Sequence, residues 1–125
     1  MVQTLLTVAA GGAIGASLRY LTFVGATRVF GHGFPVGTLV VNVLGSFLMG
    51  VLFVVLAKKG GQELTLFLMT GVLGGFTTFS AFSLDTLTLV ERGAIGTAAF
   101  YVALSVGLSL GALVIGAYAA RGVLS

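Results

Sequence analysis

The sequence contains no cysteine and no tryptophan, and it has one proline, one histidine and only three acidic residues. Without cysteine the chain has no disulfide, no thiolate nucleophile and no cysteine-based metal site. The single histidine, His32, does not build a zinc site by itself. These side chains provide no set of nucleophile, base and metal ligand, so we predict that the protein is not an enzyme.

Charge is equally scarce, at 7% of residues, whereas 58% of residues are hydrophobic and the mean hydropathy is +1.18. Soluble domains do not have this composition. Four apolar segments each approach the ~20 residues that cross a bilayer, at about residues 2–24, 36–57, 64–90 and 94–120. We therefore predict an all-α integral membrane protein, a single membrane domain over residues 1–125, multi-pass and surrounded by lipid. The net charge of +3 forms no basic cluster, which argues against a nucleic-acid partner.

The positive charges are divided almost evenly between the two membrane sides. Setting aside Arg19 within the first segment, one side carries three cations and the other carries two: Lys58, Lys59 and Arg121 against Arg28 and Arg92. The positive-inside rule therefore has little to act on. Charge alone leaves two interpretations open. Either the protein has dual topology, with copies that insert both ways and pair antiparallel, or it has a single topology in which one loop lies on the other membrane side from the one counted above.

The third segment contains a sequence that disfavours a continuous helix. Three glycines, Gly71, Gly74 and Gly75, precede a cluster of Thr77, Thr78 and Ser80. We predict a break near residues 74–79, in the middle of the span. Unwound backbone at that depth is tolerated only when it is buried in protein or lines a cavity, which indicates an ion or a polar solute.

Unwound carbonyls of Gly74 and Thr77 would suit a hard monovalent cation. One chain offers too few oxygens, and two chains meeting at their breaks would double the number. The sequence thus favours a dimer on this ground as well.

Polar residues form two helical stripes with i, i+4 spacing, and they contain Thr38, Asn42 and Ser46 in the second segment and Tyr101, Ser105 and Ser109 in the fourth. The stripes either converge on one hydrated path or provide separate interhelical packing contacts. Arg19 is either a snorkelling anchor or part of that path.

Phe79 and Phe82, and likewise Ser80 and Ser83, are three residues apart after the predicted break. Ring edges help to stabilise an anion and ring faces attract cations, while serine hydroxyls and the asparagine amide donate to anions. Two phenylalanines at helical spacing are also ordinary for lipid-facing or core positions.

These residues resemble the fluoride channels of the Fluc or CrcB type over essentially the whole chain. The run GGFTTFSAFS at residues 74–83 is similar to the family's GGxTTFSTFS in the third helix. Residues 11–15 followed by Leu18-Arg19-Tyr20 resemble the first-helix pattern, and residues 35–42 resemble PxGTLxxN. The resemblance implies passive, fluoride-selective export across the cytoplasmic membrane of a microbial cell, which relieves fluoride toxicity.

The resemblance also implies an antiparallel homodimer with two fluoride pathways and a central structural sodium ion. The sodium would be bound by the backbone carbonyls of Gly74 and Thr77. The residues of the fluoride pathway carry over to Arg19, Thr38, Asn42, Phe79, Ser80, Phe82, Ser83 and Ser109. Three positions depart from the family pattern: Ala81 and Leu113 replace threonine, and Asp85 replaces glutamate.

The alternative in a different class is a small dual-topology, proton-coupled drug exporter. Such a transporter needs a carboxylate inside the membrane, but the first segment has none, and Asp85 lies near the end of its helix. A non-transporting accessory subunit is a further alternative, but it gives no reason for a broken helix.

Overall fold

The computed structural model describes all 125 residues and is entirely helical. The first helix is Val2–Phe30, the second is Val36–Lys59 and the fourth is Ile95–Leu124. The third span, Gln62–Glu91, is interrupted. All four are long and apolar enough to cross a membrane, which confirms the predicted all-α membrane fold.

The first and fourth helices are longer than predicted. The first continues to Phe30 instead of ending near residue 24, and the fourth reaches Leu124. Arg28 and Arg121 lie in the last turns of these helices, where a cation interacts favourably with the helix dipole. The apolar run therefore marks the part that crosses hydrocarbon, and the helix itself extends beyond it.

Two glycines end helices in turns that require a positive φ. Gly31 follows the first helix with φ 78°, and Gly93 follows the third span with φ 82°. A third short turn, at residues 60–61, joins the second helix to the third span. Consecutive spans are therefore antiparallel, and the second and fourth helices run in the same direction.

The third span is built from four helical pieces. An α-helical turn at Gln62–Thr65 leads into a π-helical stretch at Leu66–Leu73, and another short α-helical piece, Gly74–Phe76, follows. The helix resumes as Phe79–Glu91. We call this last piece the resumed helix.

The first helix and the part of the third span before the break pack backbone against backbone. A Cβ atom added to Gly75 would lie 2.6 Å from the carbonyl oxygen of Gly12, and one added to Gly11 would lie 2.6 Å from the carbonyl oxygen of Phe67. Small residues permit this close approach between membrane helices. The contact fixes the level at which the third span reaches its break.

Substituting Gly75 with alanine is expected to lower the stability of the protein. The added Cβ would meet backbone atoms of Gly12 and Ala16, which cannot move aside as the end of a flexible side chain could. Overpacking of this kind costs about 1–3 kcal/mol. Gly25→Ala in the first helix is the matched control, since a Cβ there meets nothing within 4 Å. Thermal unfolding in detergent measures both; equal melting temperatures for the two variants would contradict the packing role of Gly75.

Only 18 of the 125 residues are buried within the single chain. The exposed set includes many large apolar side chains along all four spans. In a membrane these side chains face lipid or another protein surface. The buried residues form small clusters, one of them containing Leu89, Ala98 and Tyr101 between the resumed helix and the fourth helix.

Candidate ion pathway

The break in the third span consists of two threonines in extended conformation. Thr77 has φ −83° and ψ 158°, and Thr78 has φ −152° and ψ 116°. The Thr78 hydroxyl accepts a hydrogen bond from the Ala81 backbone N–H at 3.1 Å, so Thr78 is the N-cap of the resumed helix. The predicted break near residues 74–79 is present but confined to its threonines.

The glycines do not break the helix as the sequence suggested. Gly74 and Gly75 are still helical, and Gly71 lies in the π-helical stretch. Threonine hydroxyls compete for backbone groups, and that of Thr77 donates to the Leu73 carbonyl at 3.0 Å. Gly71 and Gly75 instead permit the close packing on the first helix.

Asn42 holds the break in place from the second helix. Its Oδ1 accepts a hydrogen bond from the Thr78 backbone N–H at 2.8 Å, and its Nδ2 donates to the Thr78 carbonyl at 3.0 Å. The side-chain amide thus replaces the two helical bonds that Thr78 cannot make. An amide NH₂ has two N–H groups, so Asn42 keeps one for another partner.

The same rearrangement deprives two carbonyls of their usual helical donors. The Thr78 N–H, which would bond to Gly74 in a continuous helix, donates to Asn42. The Ala81 N–H, which would bond to Thr77, donates to the Thr78 hydroxyl. Gly74 is exposed in the single chain and Thr77 is half-buried.

A pocket of about 310 Å³ opens beside the break, between the second helix, the third span and the fourth helix. We call it the polar pocket. Its lining contains no charged side chain and consists of Asn42, Ser46, Thr77, Thr78, Phe79, Phe82, Ser105, Val106, Ser109 and Leu110. The two polar stripes do converge here, although Thr38 and Tyr101 at their ends lie outside this pocket.

Phe79 and Phe82 both line the polar pocket, with ring centroids 5.5 Å apart and an interplanar angle of 53°. The Phe82 ring centroid also lies 5.3 Å from the Tyr101 ring centroid, so Phe82 packs against the fourth helix. Phe79 is 77% exposed in the single chain. The Phe82 ring is therefore packed within the protein, whereas the Phe79 ring is exposed on the surface of the single chain.

Ser105 is a pocket residue whose importance the sequence did not reveal. Its side chain is buried, and its hydroxyl has no hydrogen-bond partner. A buried hydroxyl without a partner is costly, and this one lies in the pocket wall beside Ser109. The i, i+4 stripe named the residue, but only the structure shows that its hydroxyl is buried without a hydrogen-bond partner.

The remaining predicted residues lie around this pocket rather than in it. The Ser80 hydroxyl is 3.2 Å from the Thr78 hydroxyl, and the exposed Ser83 donates to the Phe79 carbonyl at 3.0 Å. Arg19 donates from Nε to the Gly75 carbonyl at 3.0 Å, on the opposite side of the third span.

Thr38 lines a second pocket of about 350 Å³ near the end of the first helix. Its wall also contains Asp85, whose Oδ2 accepts a hydrogen bond from the fully buried Tyr101 hydroxyl at 3.0 Å. Ala81, one of the departures from the family pattern, lines this pocket too. The missing threonine hydroxyl therefore affects the second pocket, while the polar pocket keeps its own hydroxyls.

Four candidate membrane spans, a break in the third and an uncharged polar pocket beside it are the features expected of a membrane protein that passes a small ion. The chain matches the family model described as CrcB-like protein, Camphor Resistance (CrcB), over residues 6–117. The chain therefore belongs to the CrcB family.

Individual relatives agree with this assignment. The fluoride-specific ion channel FluC of Cereibacter sphaeroides is 67% identical over 122 residues, which cover 98% of each chain. Proteins of the same name from Ruegeria sp. and Paracoccus denitrificans are 63% and 54% identical, over 100% and 98% of both chains. The resemblance noted in the sequence is confirmed, as are a multi-pass membrane location and the prediction that the protein is not an enzyme.

Proposed function

We propose that this chain is a fluoride-selective, passive ion channel of the bacterial cell membrane and that it exports fluoride to relieve its toxicity. The observation that carries the proposal is near-complete alignment with proteins named fluoride-specific ion channels. The polar pocket supports it, because its lining contains neutral hydroxyls, one free amide N–H and two phenylalanine rings, and no charged group. Such groups replace the water shell of a small anion without binding it too tightly to leave.

The drug-exporter alternative receives no support from the relatives or from the site. No carboxylate lines the polar pocket, and Asp85 is engaged with Tyr101 in the second pocket. Exchange of protons for a cationic substrate requires a titratable group inside the membrane. The uncharged pocket therefore favours an anion path.

The proposal predicts growth protection in a bacterium that lacks its own fluoride exporter. Expression of this chain should restore growth in fluoride and leave tolerance of added chloride unchanged. Unaltered fluoride sensitivity, with the protein detected in the membrane, would contradict export.

An antiparallel homodimer accounts for the polar face that a single chain leaves uncovered. Gly74, Phe79, Ser80 and Ser83 are all exposed around the break. Backbone polar groups without partners cost several kcal/mol in hydrocarbon, so a second copy covering this face would stabilise it. The near-balance of positive charge on the two sides leaves both insertions available, as antiparallel pairing requires.

A structural sodium ion fits the carbonyls that the break releases. Gly74 and Thr77 are the two residues whose usual helical donors bond elsewhere, and hard cations prefer such oxygens. With two chains antiparallel, each would contribute its pair. In the proposed channel the sodium would stabilise the paired breaks and would not be transported.

Removing sodium is expected to destabilise the dimer. Protein exchanged into potassium buffer should melt at a lower temperature than protein in sodium buffer. Adding millimolar sodium to the potassium sample should restore the higher melting temperature. Lithium and N-methylglucamine at equal ionic strength control for a general salt effect. A melting temperature independent of the cation, with no sodium found by elemental analysis, would contradict the site.

A further inference from the structure

Arg19 lies on the first helix and faces the third span. Its Nε donates a hydrogen bond to the Gly75 carbonyl at 3.0 Å, and its guanidinium lies 6.0 Å from the centroid of the Phe23 ring. The side chain is half-buried and lines neither the polar pocket nor the second pocket. A snorkelling arginine would direct its charged group to the membrane surface, whereas this one is directed at the backbone of the third span.

The Gly75 carbonyl needs a donor from outside its own helix because of the break. In a continuous helix it would accept a hydrogen bond from the N–H of the residue four positions later, Phe79. The two extended threonines intervene, and Phe79 makes no backbone hydrogen bond to Gly75. A carbonyl without a donor is costly at membrane depth. Arg19 supplies the donor that the break has removed.

The break is therefore held at both of its ends. Asn42 binds the Thr78 backbone from the second helix, and Arg19 binds the Gly75 carbonyl from the first helix. These two contacts lie on either side of Thr77. A hydrogen bond from a charged donor is about twice as strong as one between neutral groups, so Arg19 makes the stronger single bond of the two residues.

The protein core sets the position of the Arg19 guanidinium. The Phe23 ring beside it packs against a buried apolar cluster. The members of this cluster are Val41, Leu73 and Phe76. Phe76 directly follows Gly75 in the chain, so the same cluster positions both the donor and the acceptor of the hydrogen bond.

From this geometry we infer that Arg19 is a positioning residue of the proposed channel, which caps the helix before the break and does not contact the transported anion. Thr77, Thr78 and Phe79 follow Gly75 and line the polar pocket, so a displaced Gly75 peptide would displace them. Functional groups depend on surrounding residues that hold them in place. The family resemblance instead implies that Arg19 belongs to the fluoride pathway. The positioning role rests on the proposed function, and the two roles of Arg19 predict different results.

Three substitutions separate the hydrogen bond of Arg19 from its charge. Arg19→Gln has its amide nitrogen as many bonds from Cα as Nε is in arginine, so it keeps a donor there without a charge. Arg19→Met has neither a donor nor a charge. Arg19→Lys keeps the charge but has a methylene group at the Nε position.

Fluoride efflux from liposomes measures the functional effect. Arg19→Met should lower the flux about tenfold, as expected for the loss of one hydrogen bond from a charged donor. Arg19→Gln should lower it only about threefold, because a neutral donor is about half as strong. Arg19→Lys should conduct less than Arg19→Gln. Arg28→Gln is the matched control, because it removes a charge from the last turn of the same helix, and it should leave the flux unchanged.

Nuclear magnetic resonance of the Gly75 carbonyl tests the contact without reference to flux. Gly33 and Gly75 are the only glycines that directly precede a phenylalanine. Protein with ¹³C at its glycine carbonyls and ¹⁵N at its phenylalanines therefore gives two carbonyl signals that are coupled to nitrogen. The Gly75 signal should move upfield in Arg19→Met, because a carbonyl that loses a hydrogen bond is less deshielded, and it should move less in Arg19→Gln. The Gly33 signal is the internal reference.

Three results would overturn the inference. An unchanged Gly75 signal in Arg19→Met would show that the hydrogen bond is absent. Wild-type flux in Arg19→Met, with the signal shifted, would show that conduction does not need this bond. Wild-type flux in Arg19→Lys, with Arg19→Gln no better than Arg19→Met, would assign the role to the charge, as a pathway residue requires.

The test remains decisive if Arg19→Met does not fold, because the order of flux in Arg19→Gln and Arg19→Lys still distinguishes the two roles. Higher flux in Arg19→Gln supports positioning, and higher flux in Arg19→Lys contradicts it. A wild-type protein that does not conduct would contradict the proposed function instead, and the Gly75 signal would still report the contact.

Discussion

Replacing Phe79 or Phe82 with isoleucine is expected to reduce fluoride flux by at least about tenfold, which corresponds to about 1.4 kcal/mol in the barrier. Isoleucine keeps an apolar side chain but has no aromatic quadrupole, and therefore no positive ring edge to meet an anion. Both rings line the polar pocket. Fluoride efflux from liposomes, followed with a fluoride electrode, measures the effect, and gel filtration reports whether the proposed dimer remains intact.

Phe100→Ile is the matched control for these variants. Phe100 is 58% exposed on the fourth helix and does not line the polar pocket. Its substitution removes the same aromatic ring and should leave flux unchanged. Wild-type flux in Phe79→Ile or Phe82→Ile would exclude that ring from the pathway, and dimer loss would assign it to assembly instead.

Asn42→Asp is expected to lower fluoride flux by about two orders of magnitude. An ionised aspartate can still accept from the Thr78 N–H, but it has no N–H for the Thr78 carbonyl or for the anion. The carboxylate would also place a negative charge in a pocket that has none. Each effect alone is of the order of 1–3 kcal/mol, and fluoride efflux measures their sum.

Asn42→Ala separates the two causes. It removes both hydrogen bonds to Thr78 and adds no charge, so it should lower thermal stability by about 1–3 kcal/mol and also reduce flux. Gln62→Glu makes the same amide-to-carboxylate change at an exposed residue outside the pocket and should change neither property. Normal flux in Asn42→Ala would mean that holding the break is unnecessary for conduction.

The sequence was sufficient to predict the spans because each apolar run is close to the thickness of a bilayer. It also predicted a break, since threonines and serine follow glycines in the third span. The prediction gave the glycines and the threonine and serine cluster together as the cause, and only the threonines are in the break. Glycine lowers helix propensity, but Gly74 and Gly75 are helical, and Gly75 packs against the first helix. Tertiary contact decided what local propensity left undetermined.

Asn42 shows why the site could only partly be predicted. Its position in a polar stripe indicated a buried amide that needs partners, but its partner Thr78 is 36 residues away in the chain. Sequence periodicity does not report such a distant contact. The buried, unpartnered hydroxyl of Ser105 is likewise a consequence of how two helices pack.

The most direct test of fluoride-selective conduction is fluoride efflux from liposomes that contain only this purified protein, with a valinomycin-set potential and chloride as the control ion. We expect rapid efflux of fluoride that responds to the imposed potential, with negligible movement of chloride. Efflux of both ions at similar rates, or no efflux from liposomes in which crosslinking demonstrates antiparallel dimers, would contradict a fluoride-selective channel.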